Sequence, residues 1–360
     1  MLEQRKELTY EGQNTCAGID VHLKSWTVSI QTETLHHKTF TQPADVSVSV
    51  NYLREHFPSA NYHSVYEAGF SGFRAHYKFK EMDINNIVIN PADVPTSQKE
   101  QLQKDDPTDS RKLARSLRAG SLTAIHVPSK QTLHERPLVR VRSSLVKDMI
   151  RFKQRIKSLL YFYGISCPGE FESSGTHWSK AFIQWLKENV SQDENMSKEA
   201  LLFILEEVEQ QRKLLLEVTR KIRASSRSET YGSRMALLRT IPGTGFIAAV
   251  TFLTELEDIH GFGSTDQLAG YAGLIPGRHS SGSKENAGEM TFRGQKLLKA
   301  CLIESAWFAA GLDPAMNLCF NGSCKRMEPN KAIIKTARKL LNRTAYVLRN
   351  EKEYVASVVE

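Results

Sequence analysis

The pattern that most limits how this chain can fold lies in its first 130 residues. Thr15-Cys16-Ala17-Gly18-Ile19-Asp20-Val21 is an apolar run that ends on a carboxylate, as a buried strand does where it leaves a sheet. Trp26 to Gln31 alternates apolar and polar with period two, and His37 to Thr41 does so more weakly. The short step between the first two runs suits a hairpin. Val46, Val50, Leu53 and Phe57 fall on one face of a helix over Val46 to His56, which Pro58 stops. Tyr62 to Tyr66 reads as the next strand and runs into Glu67-Ala68-Gly69. Ser71 can cap a helix over Gly72 to Met82, and Ile87-Val88-Ile89 is a further core strand closed by Asn90-Pro91. Asp109 to Ala119 is helical and basic, and Thr123 to Val127 reads as a last short strand.

Three early strands followed by alternating helices and strands describe an α/β domain of ribonuclease-H-like character. Its carboxylates fall at element ends. Asp20 closes the first strand, Glu67 closes the strand after the first helix, and Asp106 and Asp109 stand where a helix begins. Residues three apart share a helix face, so Asp106 and Asp109 can point the same way. Asp105 competes with Asp106, which is preferred because it leaves a three-residue step to Asp109. Such a set makes a hard oxygen cage of the kind Mg²⁺ or Mn²⁺ prefers, and metal ions in such cages can clamp the oxygens of a phosphoryl transfer. Each residue taken singly has an ordinary reading: Asp20 as a strand end, Glu67 as a surface acid, Asp106 and Asp109 as helix caps. It is their order and their shared placement that favour the metal site.

The net charge of +8 and pI of about 9.1 favour a polyanionic partner. Five scattered cysteines make a disulfide framework improbable and predict a reducing compartment. No apolar run is long enough to span a membrane, and Met1 to Tyr10 lacks a signal-peptide core, so a cytoplasmic protein is expected.

In the middle of the chain, Pro137 can open a long helix to Tyr163, ended by Gly164. Leu138, Leu145, Phe152 and Leu159 recur every seven residues, with Met149, Ile156 and Tyr163 at the complementary spacing, a coiled-coil-like seam. Its outer faces are dominated by Arg and Lys, which suits a nucleic-acid backbone. A short helix carries Trp178, Phe182 and Trp185, and a second long helix over Ser197 to Ala224 repeats Leu201, Val208, Leu215 and Ile222. The two long helices can pair with each other or across a dimer; dimerisation or higher assembly is the preferred reading.

Further on, Leu237 to Ala249 has the pattern of a helix-hairpin-helix turn, in which Gly243 and Gly245 allow close backbone approach to a DNA phosphate. A tight helix-helix turn is the plainer alternative. Ser264 is a cap-like position. Gly277-Arg278-His279-Ser280-Ser281-Gly282-Ser283-Lys284 then sets three hydroxyls between two cations, either as a reactive loop facing a phosphate or as a linker. An apolar helix follows over Lys296 to Ala310 and an amphipathic one, basic on its outer face, over Lys331 to Asn350.

Several of these motifs occur together, and in order: Gly18-Ile19-Asp20, Tyr66-Glu67-Ala68, Asp106-Pro107-Thr108-Asp109, Ile241-Pro242-Gly243-Thr244-Gly245, and Leu268 to Pro276 with Ser281-Gly282. In them the chain resembles the insertion-sequence transposases that pair an N-terminal DEDD, RuvC-like domain with a C-terminal serine domain, with the Piv-type DNA invertases as relatives. The resemblance implies a RuvC-like domain over 1–130, a helical, coiled-coil-like region over 131–230 and a mostly α serine domain over 231–360. It also implies a recombinase that cuts and rejoins DNA. Asp20, Glu67, Asp106 and Asp109 would bind Mg²⁺, and Ser281 would be the covalent nucleophile. Spacing alone does not choose Ser281 over Ser280. A non-coding guide RNA is implied as well, and with the paired long helices a homo-oligomer (dimer or tetramer) in a prokaryotic cytoplasm is expected. Arg278, Lys284 and Arg293 could assist on the phosphate. The chain departs from the family's Lys-Arg-Gly motif, having Thr291-Phe292-Arg293-Gly294 there. Two other readings stay open: a Mg-dependent RuvC-type nuclease with no covalent intermediate, and a nucleic-acid-binding scaffold whose carboxylates are caps.

Overall fold

A computed structural model describes residues 10–96, 105–173, 177–189, 196–281, 284–290 and 294–356, with the backbone alone at 189, 196–198, 229–230, 277–281 and 284–290. The chain divides into two compact units, Met1–Val127 and Pro128–Glu360.

The first unit is a five-stranded mixed sheet: β1 (Asn14–Val21), β2 (Ser25–Gln31), β3 (His36–Pro43), β4 (Asn61–Glu67) and β5 (Asn85–Ile89), in the order β3-β2-β1-β4-β5. β1, β2 and β3 pair antiparallel, while β4 lies parallel to β1 and β5 parallel to β4. Strand side chains alternate between faces. On one face Ile19, Val28, Ile30, Tyr66 and Val88 pack with Val50, Leu53 and Phe57 from α1 (Val46–His56) and its end, and with Phe79 from α2 (Arg74–Glu81). On the other face Val65 and Ile89 meet Leu113 of α3 (Asp106–Arg118).

α1 has the bounds its sequence predicts, because Asp45 accepts from the Ser47 amide and caps it. Two expectations fail. Ser71 does not cap α2, whose N-cap is Phe73 with no side-chain bond. Thr123 to Val127 does not form a strand; Ala124 makes one isolated bridge to Ile89. Its apolar residues Ile125 and Val127 still reach the core, so burial rather than pairing explains the pattern.

The second unit begins with α4 (Lys130–Phe162), α5 (Lys180–Asn189) and α6 (Met196–Ser225). α4 starts seven residues before Pro137, which sits inside the helix, because Ser129 caps it through the Thr132 amide. α4 and α6 pack against each other, and their far halves close a core with Phe182 and Leu186 of α5. Tyr163, expected in the seam, is instead exposed at the end of α4. The near half of α4 enters the larger core, formed with α7 (Glu229–Arg239), α8 (Phe246–Leu256), α9 (Thr265–Tyr271), α10 (Lys296–Leu312), α11 (Pro314–Cys324) and α12 (Pro329–Asn350). Ser264 caps α9, as its sequence predicts. A charge cluster around the buried Glu255 fastens α4 to α8: the exposed Arg140 donates twice to Glu255, at 2.9 and 2.8 Å, and the buried Arg136 donates to the Thr254 carbonyl.

Candidate active site

Asp20 lies near the end of β1, where the backbone pairs Ile19 with Tyr66 of β4. One residue beyond that pair stand Asp20 and Glu67, at the ends of neighbouring parallel strands. Alternation puts both on the face that α3 covers. α3 comes close because of Gly18: a Cβ there would lie 2.3 Å from Ala114 N and 2.3 Å from Ser110 O of α3. A buried hydroxyl pair, Ser29 Oγ to Ser110 Oγ at 2.8 Å, fixes the helix along the sheet.

This crossing decides what the first turn of α3 can do. Asp105 is the N-cap and its carboxylate accepts from the Thr108 amide at 2.6 Å. Asp106 is thereby left to turn toward β1. His22 Nε2 sits between the two carboxylates, 3.3 Å from Asp20 Oδ2 and 3.4 Å from Asp106 Oδ2. Ligand atoms of Asp20, His22 and Asp106 all lie within 4.8 Å of one another. Burial pushes the Asp20 carboxyl above its ordinary range; His22 opposes that shift and the Asp106 charge adds to it. Two carboxylates converging on one point with a nitrogen between them are a fitting donor set for a divalent cation, which would relieve their mutual repulsion. Asp109 and Glu67 are not in this group of three. Lys112 Nζ stands 3.0 Å from Asp109 Oδ1, and the Asp109 charge also pushes the Asp20 carboxyl up.

The sequence reading missed His22. Its signal was available in part: position 22 continues the period-two step of Gly18 and Asp20 one residue past the end of β1.

In the second unit, the described residues of the Gly277–Lys284 stretch, 277–281 and 284, lie in strands; Gly282 and Ser283 lie outside the described residues. β6 (Pro276–Ser281) and β7 (Lys284–Met290) form an antiparallel hairpin in which Ser281 pairs with Lys284 at the last position. The hairpin rises from a pinned base. Gly294, at φ +104°, lies so close to Gly273 that a Cβ would be 2.5 Å from its nitrogen, and the Gln295 amide donates to Tyr271 O at 2.9 Å. The side chains of Arg278, Ser281 and Lys284, and the whole of Arg293, lie outside the described residues.

The glycine turn between α7 and α8 has two different halves. Gly243, at φ +82°, is pressed on α10: a Cβ would meet Ser305 O at 2.4 Å and Ala309 N at 2.7 Å. That side of the turn is filled by protein, as in a tight helix-helix turn. Gly245 is the N-cap of α8, with nothing within 4 Å of a Cβ and no side-chain cap on the helix. Arg223 of α6 lies beside this terminus, 5.0 Å from the Phe246 ring.

A mixed sheet with carboxylates at its strand ends, covered by a carboxylate-bearing helix, is consistent with a DEDD-type domain, and residues 17–165 match the IS110-type DEDD transposase family. Residues 235–321 match the Transposase IS116/IS110/IS902 family. The chain therefore carries the transposase domains of the IS110/IS116 family. A Sinorhizobium fredii protein named as a transposase, y4qE, is 30% identical over 242 residues, which cover 67% of this chain and 57% of the relative. The transposase for insertion sequence element IS1111A of Coxiella burnetii is 25% identical over 228 residues, 63% of this chain and 60% of the relative. The pilin gene-inverting protein of Moraxella bovis is 36% identical over 128 residues, 34% of this chain and 38% of the relative. The chain thus spans less than two thirds of the length of each of these three relatives. No helix among the described residues is long and apolar enough to cross a membrane.

Proposed function

We propose that this chain is an insertion-sequence transposase that cuts and rejoins DNA, with a divalent-metal site in its first unit and Ser281 of its second unit as the nucleophile. The observation that carries the reading is the convergence of Asp20, His22 and Asp106 at the strand ends of a DEDD-type domain. These three would hold Mg²⁺ or Mn²⁺, with Glu67 and Asp109 of the same strand ends and helix start completing the acid set. When bound, the ion supplies positive charge to phosphoryl oxygens. Asp20 and Asp106 would supply oxygen donors, and His22 a nitrogen donor between them.

Ser281 Oγ attacks a DNA phosphorus, forming a phosphoserine ester. One P–O bond to a sugar breaks, and that oxygen leaves carrying a proton. Rejoining runs the same exchange backwards with a new DNA hydroxyl. The placement of Ser281 beside Lys284 at the end of a hairpin with a pinned base supports this assignment, as does the family resemblance. Arg278, Lys284 and Arg293 would face the phosphate, and Gly245 at the open start of α8 would meet the DNA backbone. A non-coding guide RNA, a dimeric or tetrameric assembly and a bacterial cytoplasm complete the proposal; the net charge of +8 suits nucleic-acid partners.

Adduct trapping on a cognate element end tests it. Wild-type protein should give a denaturation-resistant protein–DNA species that Ser281→Ala lacks and Ser280→Ala retains, while Asp20→Asn loses cleavage. Cleaved, adduct-free ends from Ser281→Ala would instead identify a nuclease that acts through its metal site alone. That second reading is favoured by the fact that the donor cluster needs no residue outside the first unit.

A further inference from the structure

The second unit holds a pocket that the chemistry above does not use. It lies between α4 and α6, beside Trp178 just before α5, and its volume is about 240 Å³. Met149, Ile183, Val208 and Leu215 give it apolar walls, and its charged lining residues are Lys153 and Arg212, with no acid among them. The Lys153 ammonium rests over the Trp178 ring, 5.2 Å from the centroid. Burial and the charges of Arg212 and Lys157 hold that ammonium below its ordinary range, so an anion here would be stabilised. Trp178 itself stands at φ +67°, a backbone conformation that bulky side chains rarely adopt. Strain of this kind gathers where a ligand is clamped. Phe182 packs nearly perpendicular to the indole, at 5.3 Å and 88°, and so fixes the plane of the ring.

An aromatic face, an apolar cavity and two cations without a lining acid select an occupant that is planar on one part and anionic on the other. A nucleotide whose base is unstacked has that chemistry, whereas a base inside a duplex has both faces covered. We propose that this pocket takes one unstacked base of a single-stranded nucleic acid, stacked on Trp178, with the adjacent phosphate on Lys153 and Arg212. The Lys153 ammonium leaves the indole face and follows the phosphate, with which it forms a charge-assisted hydrogen bond. Apolar walls do not read hydrogen-bonding edges, so base identity and the 2′-hydroxyl have little influence on binding. The inference rests on the reading of this chain as a protein that handles nucleic acid, and it adds the place where an unpaired nucleotide is held.

The test uses the full chain and a short oligothymidine carrying one 5-iodouracil, with folding of every variant checked by circular dichroism. Irradiation of the wild-type complex should couple the iodouracil to a peptide containing Trp178, found by mass spectrometry. In fluorescence anisotropy, Trp178→Leu should weaken binding by about fivefold or more, while Trp178→Phe, which keeps a stacking face, stays within about threefold. Lys153→Met and Arg212→Met should each flatten the slope of log Kd against log salt by about 0.7, and Trp178→Leu should leave that slope unchanged. Oligothymidine and oligouridine should bind alike. Crosslinks confined to other peptides, or wild-type affinity in Trp178→Leu, would overturn the inference. Protection of Trp178 by free dTMP at the oligomer's own concentration would overturn it too, by assigning the pocket to a free nucleotide. Folded wild-type protein that binds no nucleic acid at all would instead overturn the reading on which the inference rests. If Trp178→Leu does not fold, the wild-type crosslink and the two cation slopes decide.

Discussion

Replacing Gly18 by Ala should cost this protein both stability and its metal affinity. The new methyl carbon would lie 2.3 Å from two backbone atoms of α3, Ala114 N and Ser110 O, whereas ordinary contact begins at 3.4 Å. The helix backbone must therefore recede by about 1 Å, since neither atom belongs to a side chain that can swing away. Overpacking of this kind costs roughly 1–3 kcal/mol, and rigid backbone on both sides puts Gly18→Ala at the upper end. Retreat of α3 also stretches the buried Ser29–Ser110 hydroxyl pair, now 2.8 Å, which is worth about 1 kcal/mol net. A total near 4 kcal/mol, from the overpacking and the lost hydroxyl pair, corresponds to a drop in Tm of roughly 15 °C for a unit of this size. Because α3 carries Asp106 away from His22, Mn²⁺ affinity of the still-folded variant should fall as well. Scanning calorimetry and Mn²⁺ titration measure the two effects. Gly69→Ala is the control, because nothing lies within 4 Å of a Cβ there, and it should stay within about 0.5 kcal/mol of wild type. A Gly18→Ala protein with wild-type Tm and wild-type Mn²⁺ affinity would refute the claim that close approach of α3 builds the site.

Other substitutions test the second unit and the capping of the first. Gly243→Ala combines a positive φ with a clash against α10 and should destabilise by about 3 kcal/mol or more in urea unfolding; a neutral result would mean the turn is not pressed on that helix. Glu255→Ala removes a carboxylate whose side chain is fully buried and leaves Arg136, itself 7% exposed, without a counter-charge, so a loss of about 3–5 kcal/mol is expected by denaturant melts. Asp45→Ala removes the α1 cap and should cost roughly 1 kcal/mol near neutral pH. Hydrogen bonds from Lys78 and from the Ser47 amide hold the Asp45 carboxyl below its usual range, so its stabilisation is full above the unfolded-state pKa and is lost as pH falls through the depressed one. The gap between wild type and Asp45→Ala should accordingly close in acid, and a gap independent of pH would argue against the ion pair.

Local chemistry carried much of the first unit. α1 is readable because Asp45, an apolar face and Pro58 agree on its limits, and the strands are readable because their alternation survives in the folded sheet. The strand-end placement of Asp20 and Glu67 follows from the same alternation. Local signals failed where long-range packing supplied the partner. Thr123 to Val127 is apolar enough for a strand but finds a single bridge, and Pro137, expected to open α4, lies inside it because Ser129 begins the helix earlier.

Sequence order alone thus determined that four acids close strands or open a helix, that the chain is basic, and that serines cluster between cations and glycines. Only the tertiary structure decided which of those acids meet. Gly18 permits α3 to lie on β1, Asp105 is consumed as a cap, Asp106 reaches His22 and Asp20, and Lys112 takes Asp109. The physical reason is that periodicity fixes the face on which a side chain stands, whereas the partner it meets depends on how closely another element approaches that face.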